Sequence, residues 1–264
     1  MRKFIRWVLF AIPASYVLVC SALYFSQDSL VFRPESLAAD FRFDFPQTFG
    51  EVNLPVDGAT LNALHFTTNK PKGVVLFFHG NAGSLRRWGE VAESFTTRGY
   101  DLFIFDYRGY GKSTGKIASE QQLLDDADRV YRYVSQRYAP KNIVLYGRSL
   151  GTGLAAKIAL RHPAKMLILE TPYVSLKDLT AQFYPLVPGF LLKYPMRTDL
   201  ALPQIKIPIY LLHGTADEVI PYESSQRVLP LIQSSKELVT IPGGAHNGLR
   251  LTPIYNAALD RFLR

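Results

Sequence analysis

Cysteine is nearly missing from this chain of 264 residues, which holds only Cys20. One thiol cannot close an intramolecular disulfide, and zinc or iron–sulfur sites built on cysteine need several thiolates, so both are excluded. Charged residues make up 20% against 48% hydrophobic, a globular mix that rules out a wholly disordered or fibrous chain. Internal repeats and low-complexity tracts are absent, and no linker breaks the sequence after residue 40. The net charge of +8 comes without a dense Lys/Arg run or a recognition motif, so nucleic acid is not an expected partner.

Long uncharged runs are scarce as well, with one exception. The nineteen residues from Trp7 to Phe25 carry no charge, and the next charge is Asp28. Such a helix rises ~28 Å, about the thickness of a bilayer's hydrocarbon core. Pro13 would kink it, which a membrane helix absorbs by local adjustment. A cleaved signal peptide is the alternative, but its apolar region is usually shorter and no small-x-small site follows Phe25. Lipoprotein processing at Cys20 would want a small residue where Val19 stands. Arg2, Lys3 and Arg6 precede the run, whereas Asp28, Arg33, Glu35 and Asp40 mix signs after it. The positive-inside rule then predicts a cytoplasmic N-terminus with the remainder on the opposite side, periplasmic, lumenal or extracellular. The expected organisation is an anchor over 1–27 and one domain over 28–264.

Within that domain, short apolar runs alternate with helical patterns. TLNALHF, GVVLFF (73–78), DLFIFD (101–106), NIVLYG (142–147), MLILE (166–170), PIYLLHG (208–214) and ELVTI (237–241) read as strands. Helices are expected near 84–98, 119–138, 149–161, 222–233 and 252–263. Continuous apolar strands separated by helices imply an α/β fold with a mostly parallel, doubly wound sheet covered on both faces. Helix 119–138 has Ser119 with Gln122 three residues on, a capping box, and one stripe of Leu123, Ala127, Val130, Tyr131, Val134 and Tyr138. Asp125, Asp126 and Asp128 are expected on its solvated face near the positive helix end. Residues 173–202 break the alternation, with Pro185, Pro188 and Pro195 among many apolar side chains. Proline restricts this stretch to short helices and turns, and its apolar content predicts a small helical cap.

Gly147-Arg148-Ser149-Leu150-Gly151 directly follows the strand NIVLY and opens a helix. In that setting the pattern GxSxG predicts a nucleophile elbow, whose glycines allow the tight turn that lifts the Ser149 hydroxyl above the sheet. A serine hydroxyl is a poor nucleophile, so a base must take its proton and an acid must orient the base. The order serine, acid, histidine selects Asp217, just past IYLLHG, and His246, just past ELVTI. Gly243, Gly244 and Ala245 leave the His246 ring free to reach inward. His65, His79, His162 and His213 read as structural, and Glu170, ending MLILE, is the rival acid. Charge developing on the substrate carbonyl oxygen needs backbone donors. These are the N–H of Leu150 and, from the small-residue loop His79-Gly80-Asn81-Ala82-Gly83, that of Asn81. This chemistry requires no metal and no organic cofactor.

HGNAG, DYRGYGKSTG, GRSLGTG, HGTADEVIP and GAHNG, in this order, resemble the BEM46-type and ABHD13- and ABHD17-like branch of the α/β-hydrolase superfamily. The resemblance runs from about residue 45 to the end. It implies an α/β-hydrolase fold, a triad of Ser149, Asp217 and His246, and membrane-attached esterase or thioesterase activity. ABHD17-like members are tethered by acylated cysteines near the N-terminus; with an apolar run and only Cys20, this chain is more similar to the BEM46 and ABHD13 type. Two competing patterns fail. Gly151-Thr152-Gly153-Leu154-Ala155-Ala156 fits a loose dinucleotide fingerprint, but Arg148, Ser149 and Leu150 separate it from its strand, and the Asp217 and His246 loops would go unexplained. Gly111-Lys112-Ser113 would need glycine where Asp106 stands to be a phosphate loop. The expected function is therefore a membrane-anchored serine hydrolase acting on small-molecule or lipid-like acyl esters or thioesters, with Phe183, Tyr184, Leu186, Phe190, Leu191, Leu192 and Tyr194 of the cap lining an acyl pocket. A peptidase of the prolyl-oligopeptidase-like branch and a non-catalytic interaction protein on the same fold are the alternatives.

Overall fold

The β-branched and aromatic runs become β1 (Phe49–Val56), β2 (Ala59–Phe66), β3 (Gly73–Phe78), β4 (Tyr100–Phe105), β5 (Ile143–Arg148), β6 (Met166–Glu170), β7 (Ile209–Gly214) and β8 (Lys236–Ile241). The structure, a computed structural model, describes residues 2–264. All eight strands form one sheet in the order β1-β2-β4-β3-β5-β6-β7-β8. β1 and β2 pair antiparallel, β2 meets β4 antiparallel, and every pairing from β4 to β8 is parallel. β3 is buried along its whole length, and its alternation feeds two cores. Val74, Leu76 and Phe78 pack with the helices α2 (Glu120–Ser135) and α3 (Leu150–Arg161). Val75 and Phe77 pack on the other face with Phe95 and with Tyr255, Leu259 and Phe262 of the C-terminal helix Pro253–Phe262. This is the α/β-hydrolase fold.

The winding decides where chemistry belongs. From β3 the chain crosses to β4 on one side, then returns past β3 to β5 and proceeds the other way to β8. The crevice between the carboxyl ends of β3 and β5 is thus a topological switch point, where open α/β sheets hold ligands. Ser149 follows β5 directly and His79-Gly80-Asn81 follows β3.

Three local features differ from expectation. β1 is unannounced by apolar alternation because it is a partly exposed edge strand carrying Pro55; its signal is Asp57-Gly58, which closes a two-residue hairpin with Gly58 at φ +68°. The helix expected at 84–98 is broken into Leu85–Trp88, a 3₁₀ turn Gly89–Ala92 and Glu93–Thr96. The break falls at Gly89, where a Cβ would sit 2.2 Å from the Phe45 ring. In α2 the Ser119 hydroxyl accepts from the N–H of Gln122 at 3.1 Å, but the Gln122 side chain accepts from Ala118, not from Ser119.

The acidic cluster of α2 also needs correction. Asp126 is buried and takes both Arg108 Nε and Nη2, at 2.6 and 2.8 Å. Asp128 binds Arg161 and His162, so Asp125 alone of the three is exposed. The apolar stripe behind them forms with Leu123, Ala127, Val130, Tyr131 and Val134 buried, while Tyr138 lies past the helix end at Ser135 and is half-buried.

At the N-terminus, helix α1 (Arg2–Val31) continues beyond Phe25; its stretch Leu9–Val31 is long and apolar enough to cross a membrane. Residues 173–202 contain α4 (Leu176–Phe183) and short turns, and they lie against α1. Phe32 meets Tyr194 edge to face at 4.8 Å, and Asp28 accepts from the Tyr194 hydroxyl.

Removing one partner of a buried ion pair leaves an uncompensated charge, at a cost of about 3–5 kcal/mol. Asp126→Ala should therefore lower the midpoint of denaturant unfolding strongly, while Asp125→Ala stays within about 0.5 kcal/mol of the parent; equal effects would show that the Arg108 pair contributes nothing.

Candidate active site

Ser149 occupies the corner between β5 and α3 at φ +51° and ψ −120°. That region costs a non-glycine residue on the order of 1–3 kcal/mol, so the surroundings must impose it. Two glycines do so. A Cβ on Gly147 would stand 2.6 Å from the Gly151 carbonyl, and one on Gly151 would stand 2.0 Å from the carbonyl of Phe78. The first turn of α3 therefore rests directly on the end of β3. The Ser149 N–H donates to the Glu170 carbonyl at 3.0 Å and Thr152 Oγ1 donates to the Ser149 carbonyl at 2.7 Å, which pins the corner from both sides.

His246, in the loop after β8, approaches Ser149 Oγ with Nε2 at 3.1 Å and Asp217 with Nδ1 at 2.8 Å. Asp217 sits in the turn after β7, and its Oδ1 accepts from the N–H groups of Val219 and Ile220 at 2.9 and 2.8 Å. A carboxylate held this way accepts the Nδ1–H of His246, which leaves Nε2 with a lone pair facing the serine hydroxyl. Burial works to raise the Asp217 carboxyl, yet hydrogen bonds from His213, His246 and Ile220 outweigh it and hold the group well below the usual carboxylate range.

His213 supplies a part of the site that sequence reasoning assigned to structure alone. Its Nε2 faces two acceptors, the Ile220 carbonyl at 3.0 Å and Asp217 Oδ2 at 3.2 Å, so Nε2 carries the proton and Nδ1 accepts from Ser225 Oγ at 2.6 Å. Asp217 is thus bracketed by two imidazoles. Glu170, the rival acid, is engaged elsewhere: it accepts from Tyr146 at 2.6 Å and pairs with Arg148 at 3.0 Å. Arg148 in turn donates to the His246 carbonyl at 3.1 Å and to Asn247 at 2.9 Å, tying the histidine loop to the nucleophile turn. His65 bonds Tyr138, and His162 pairs with Asp128, both away from Ser149.

The Asn81 loop is braced from behind. Its carbonyl accepts from Tyr110 Oη at 2.7 Å and from the N–H of Arg33 at 2.9 Å, and the His79 carbonyl accepts from Tyr107 Oη at 2.8 Å. Among the described residues, neither the N–H of Asn81 nor that of Leu150 donates to a backbone acceptor. Both residues line one cavity of about 230 Å³ with Ser149, and Gly80 brings the loop near: a Cβ there would stand 3.6 Å from Ser149 Cβ. The rest of its lining is mostly apolar: Leu30 and Val31 of α1, Leu176, Leu179, Phe183 and Tyr184 of the α4 region, Tyr173, Val219 and Ile220. Phe183 and Tyr184 stand where the sequence places them, but Leu186, Phe190, Leu191, Leu192 and Tyr194 are not in this lining. Leu186 and Phe190 face outward, and Tyr194 is buried against Phe32.

Comparison with known proteins finds α/β-hydrolase relatives. The family described as serine aminopeptidase, S33, matches residues 69–199 and 190–250. An uncharacterized protein of Mycobacterium tuberculosis, Rv2307c, is 32% identical over 216 residues, covering 78% of this chain and 76% of that one. The lysophosphatidylserine lipase ABHD12 of Danio rerio is 31% identical over 188 residues, 62% of this chain and 48% of the lipase. Among solved structures, the esterase Pf2001 of Pyrococcus furiosus superposes with a TM-score of 0.68 at 21% identity, covering 88% of this chain and 98% of the esterase.

Because the folded state holds Asp217 more acidic than the unfolded chain does, its charge contributes stability that is present above about pH 4 and is lost as pH falls further. Asp217→Asn removes that contribution. The gap in thermal midpoint between parent and variant should be widest at pH 7, begin to close below about pH 4 and shrink steadily toward about pH 2; a gap independent of pH would contradict the bracketed carboxylate.

Proposed function

The chain belongs to the α/β-hydrolase superfamily, in the family described as serine aminopeptidase, S33, and from that premise we propose a membrane-anchored serine hydrolase that cleaves acyl esters or thioesters. The observation that carries the reading is His246 bridging Ser149 at 3.1 Å and Asp217 at 2.8 Å beside a mostly apolar cavity. In this reading Ser149 Oγ attacks the acyl carbon while His246 Nε2 takes its proton. The N–H groups of Asn81 and Leu150 stabilise the oxyanion, an interaction for which a lost donor costs about 3 kcal/mol of barrier. The tetrahedral intermediate collapses, His246 returns the proton to the departing alcohol or thiol, and an acyl-Ser149 ester remains. Water, deprotonated by the same histidine, then releases the acid. Asp217 orients the imidazole and stabilises its charged form throughout.

The anchor in this reading is the segment 1–27, which includes most of α1, with Arg2, Lys3 and Arg6 on the cytoplasmic side, and residues 28–264 form the hydrolase domain with 173–202 as its cap. An apolar run with a single cysteine favours the BEM46 and ABHD13 type over the ABHD17 type in this reading. A cavity of about 230 Å³ lies below the usual range of ~300–1,000 Å³ for ligand pockets, which favours one acyl chain over a folded polypeptide. Amide hydrolysis is the second reading, favoured by the aminopeptidase description of the matching family. Amide turnover exceeding ester turnover would establish it.

A fluorophosphonate probe should label the wild-type full chain and fail on Ser149→Ala, with labelling of His246→Ala reduced to background. Undiminished labelling of Ser149→Ala would place the nucleophile elsewhere. In a series of 4-nitrophenyl esters, kcat/KM should rise about fourfold per added methylene until the cavity is filled, following ~0.8 kcal/mol per buried CH₂. Equal rates for acetyl and longer esters would remove the acyl pocket from the proposal.

A further inference from the structure

The cap carries an apolar ridge with no cover. Phe183, Tyr184, Leu186 and Phe190 are exposed within eight residues, Leu186 at 78% and Phe190 at 85%. From Leu179 to Leu192 the cap has no charged residue; Asp178 and Lys193 bound the run. A cluster of this kind marks an interaction surface, whereas single exposed apolar residues such as Leu160 and Leu251 need no explanation.

The ridge is continuous with α1. Tyr16 Oη donates to the Leu186 carbonyl at 2.7 Å, Gln27 Nε2 donates to the Leu191 carbonyl at 2.7 Å, and Gln27 Oε1 accepts from the Lys193 N–H at 2.9 Å. Tyr16, Cys20, Leu23 and Gln27 share one helix face, and Cys20 and Gln27 are buried there. The remaining faces leave Val17, Leu18 and Phe25 exposed. Tyr16 lies nine residues before Phe25, a rise of ~14 Å and close to half of a ~30 Å hydrocarbon core. Whatever depth that part of α1 reaches, the Leu186 carbonyl reaches too. At the other end of the seam, Lys193 pairs with Asp28 at 3.3 Å and lies over the Tyr24 ring, a charged and aromatic boundary of the kind found where hydrocarbon ends.

We propose that the cap is itself a membrane-inserted element: its ridge enters the leaflet nearest the hydrolase domain beside α1, so that the Ser149 cavity opens at the surface of that leaflet. This inference rests on the anchor reading above. An unsatisfied polar group of irregular backbone is costly in hydrocarbon, and several such groups of this segment are either bonded or missing. Pro185 and Pro188 bring no N–H, while those of Tyr184, Val187 and Leu191 bond to carbonyls within the cap. The exposed Leu186 carbonyl, which would otherwise be costly, is taken by Tyr16. Leu30 and Val31 line the cavity five and six residues past Phe25, which puts it within ~10 Å of the hydrocarbon edge. Phe183 and Tyr184 belong both to the ridge and to the cavity, and an acyl chain passing from leaflet to Ser149 would stay in apolar contact.

The test uses the full chain in vesicles of phosphatidylcholine and phosphatidylglycerol, with Cys20→Ala and one new cysteine at a time: Val17→Cys, Leu186→Cys or Leu251→Cys. Each is labelled with an environment-sensitive fluorophore and challenged with lipid bearing a nitroxide on its acyl chain. Labels at 17 and 186 should lose at least half their emission, and the label at 251 should not. Quenching at 17 without quenching at 186 overturns cap insertion and leaves the anchor standing. No quenching at 17 removes the anchor reading and this inference with it. A blue-shifted but unquenched label at 186 puts protein against the ridge and also overturns the proposal. As a second measurement, Leu186→Glu with Phe190→Glu should leave turnover of a short water-soluble ester unchanged and lower turnover of a vesicle-embedded ester at least tenfold; an equal effect on both substrates counts against it.

Discussion

The close approach of α3 to the end of β3 is the contact on which the site depends. With glycine at 151, the helix settles onto the Phe78 carbonyl; any side chain there would hold the two apart. That single spacing forces Ser149 into its positive-φ corner, brings its hydroxyl next to the Gly80 loop, and gathers the Leu150 and Asn81 amides at one cavity. The strain at Ser149 is met by packing on both sides of the sheet, where β3 and β5 are buried in two separate cores. Rigidity of this kind is what preorganised electrostatics require, because donors that must move into place lose part of their effect.

Charge at the site is arranged with equal economy. Asp217 is removed from solvent, which alone would favour its neutral form, but two imidazoles and two backbone amides converge on its oxygens. The carboxylate therefore stays ionised, and its orientation is fixed by groups that belong to its own turn and to His213 on β7. Arg148, paired with Glu170 and bonded to the His246 carbonyl, fixes the other side of the loop. Serine, base and acid come from three segments: Glu170 of β6 holds the serine corner, Arg148 beside the serine holds the histidine loop, and the acid is held by its own turn and His213.

The parallel sheet was legible because continuous apolar runs have few other uses, and the three residues of the triad geometry were legible because each falls directly after a strand end. The Asn81 loop was readable from its small residues. What escaped reading was whatever depends on long-range partners. Asp126 looks like a helix-surface acid until Arg108 arrives from eighteen residues away to bury it. His213 looks like a strand-end filler until Asp217 folds back onto its ring. The cap was visible as an apolar, proline-broken stretch, but its backbone is held by α1, and a local pattern carries no trace of helix contacts 164 to 170 residues upstream. Glu170 is engaged by Tyr146 and Arg148, and those contacts too are tertiary.

In the proposed reading, the seam between α1 and the cap blurs the line between tether and enzyme. A tether that only holds a catalyst near a surface can be exchanged for any other of similar length. Here the helix supplies two residues to the cavity wall and three hydrogen bonds that fix the backbone of the cap. A chain shortened to begin at residue 28 would keep its sheet and its histidine relay, yet the cap would lose the surface against which it is shaped. On the proposed anchor reading, the helix that attaches the chain also shapes the cavity wall, and a change made for one purpose reaches the other.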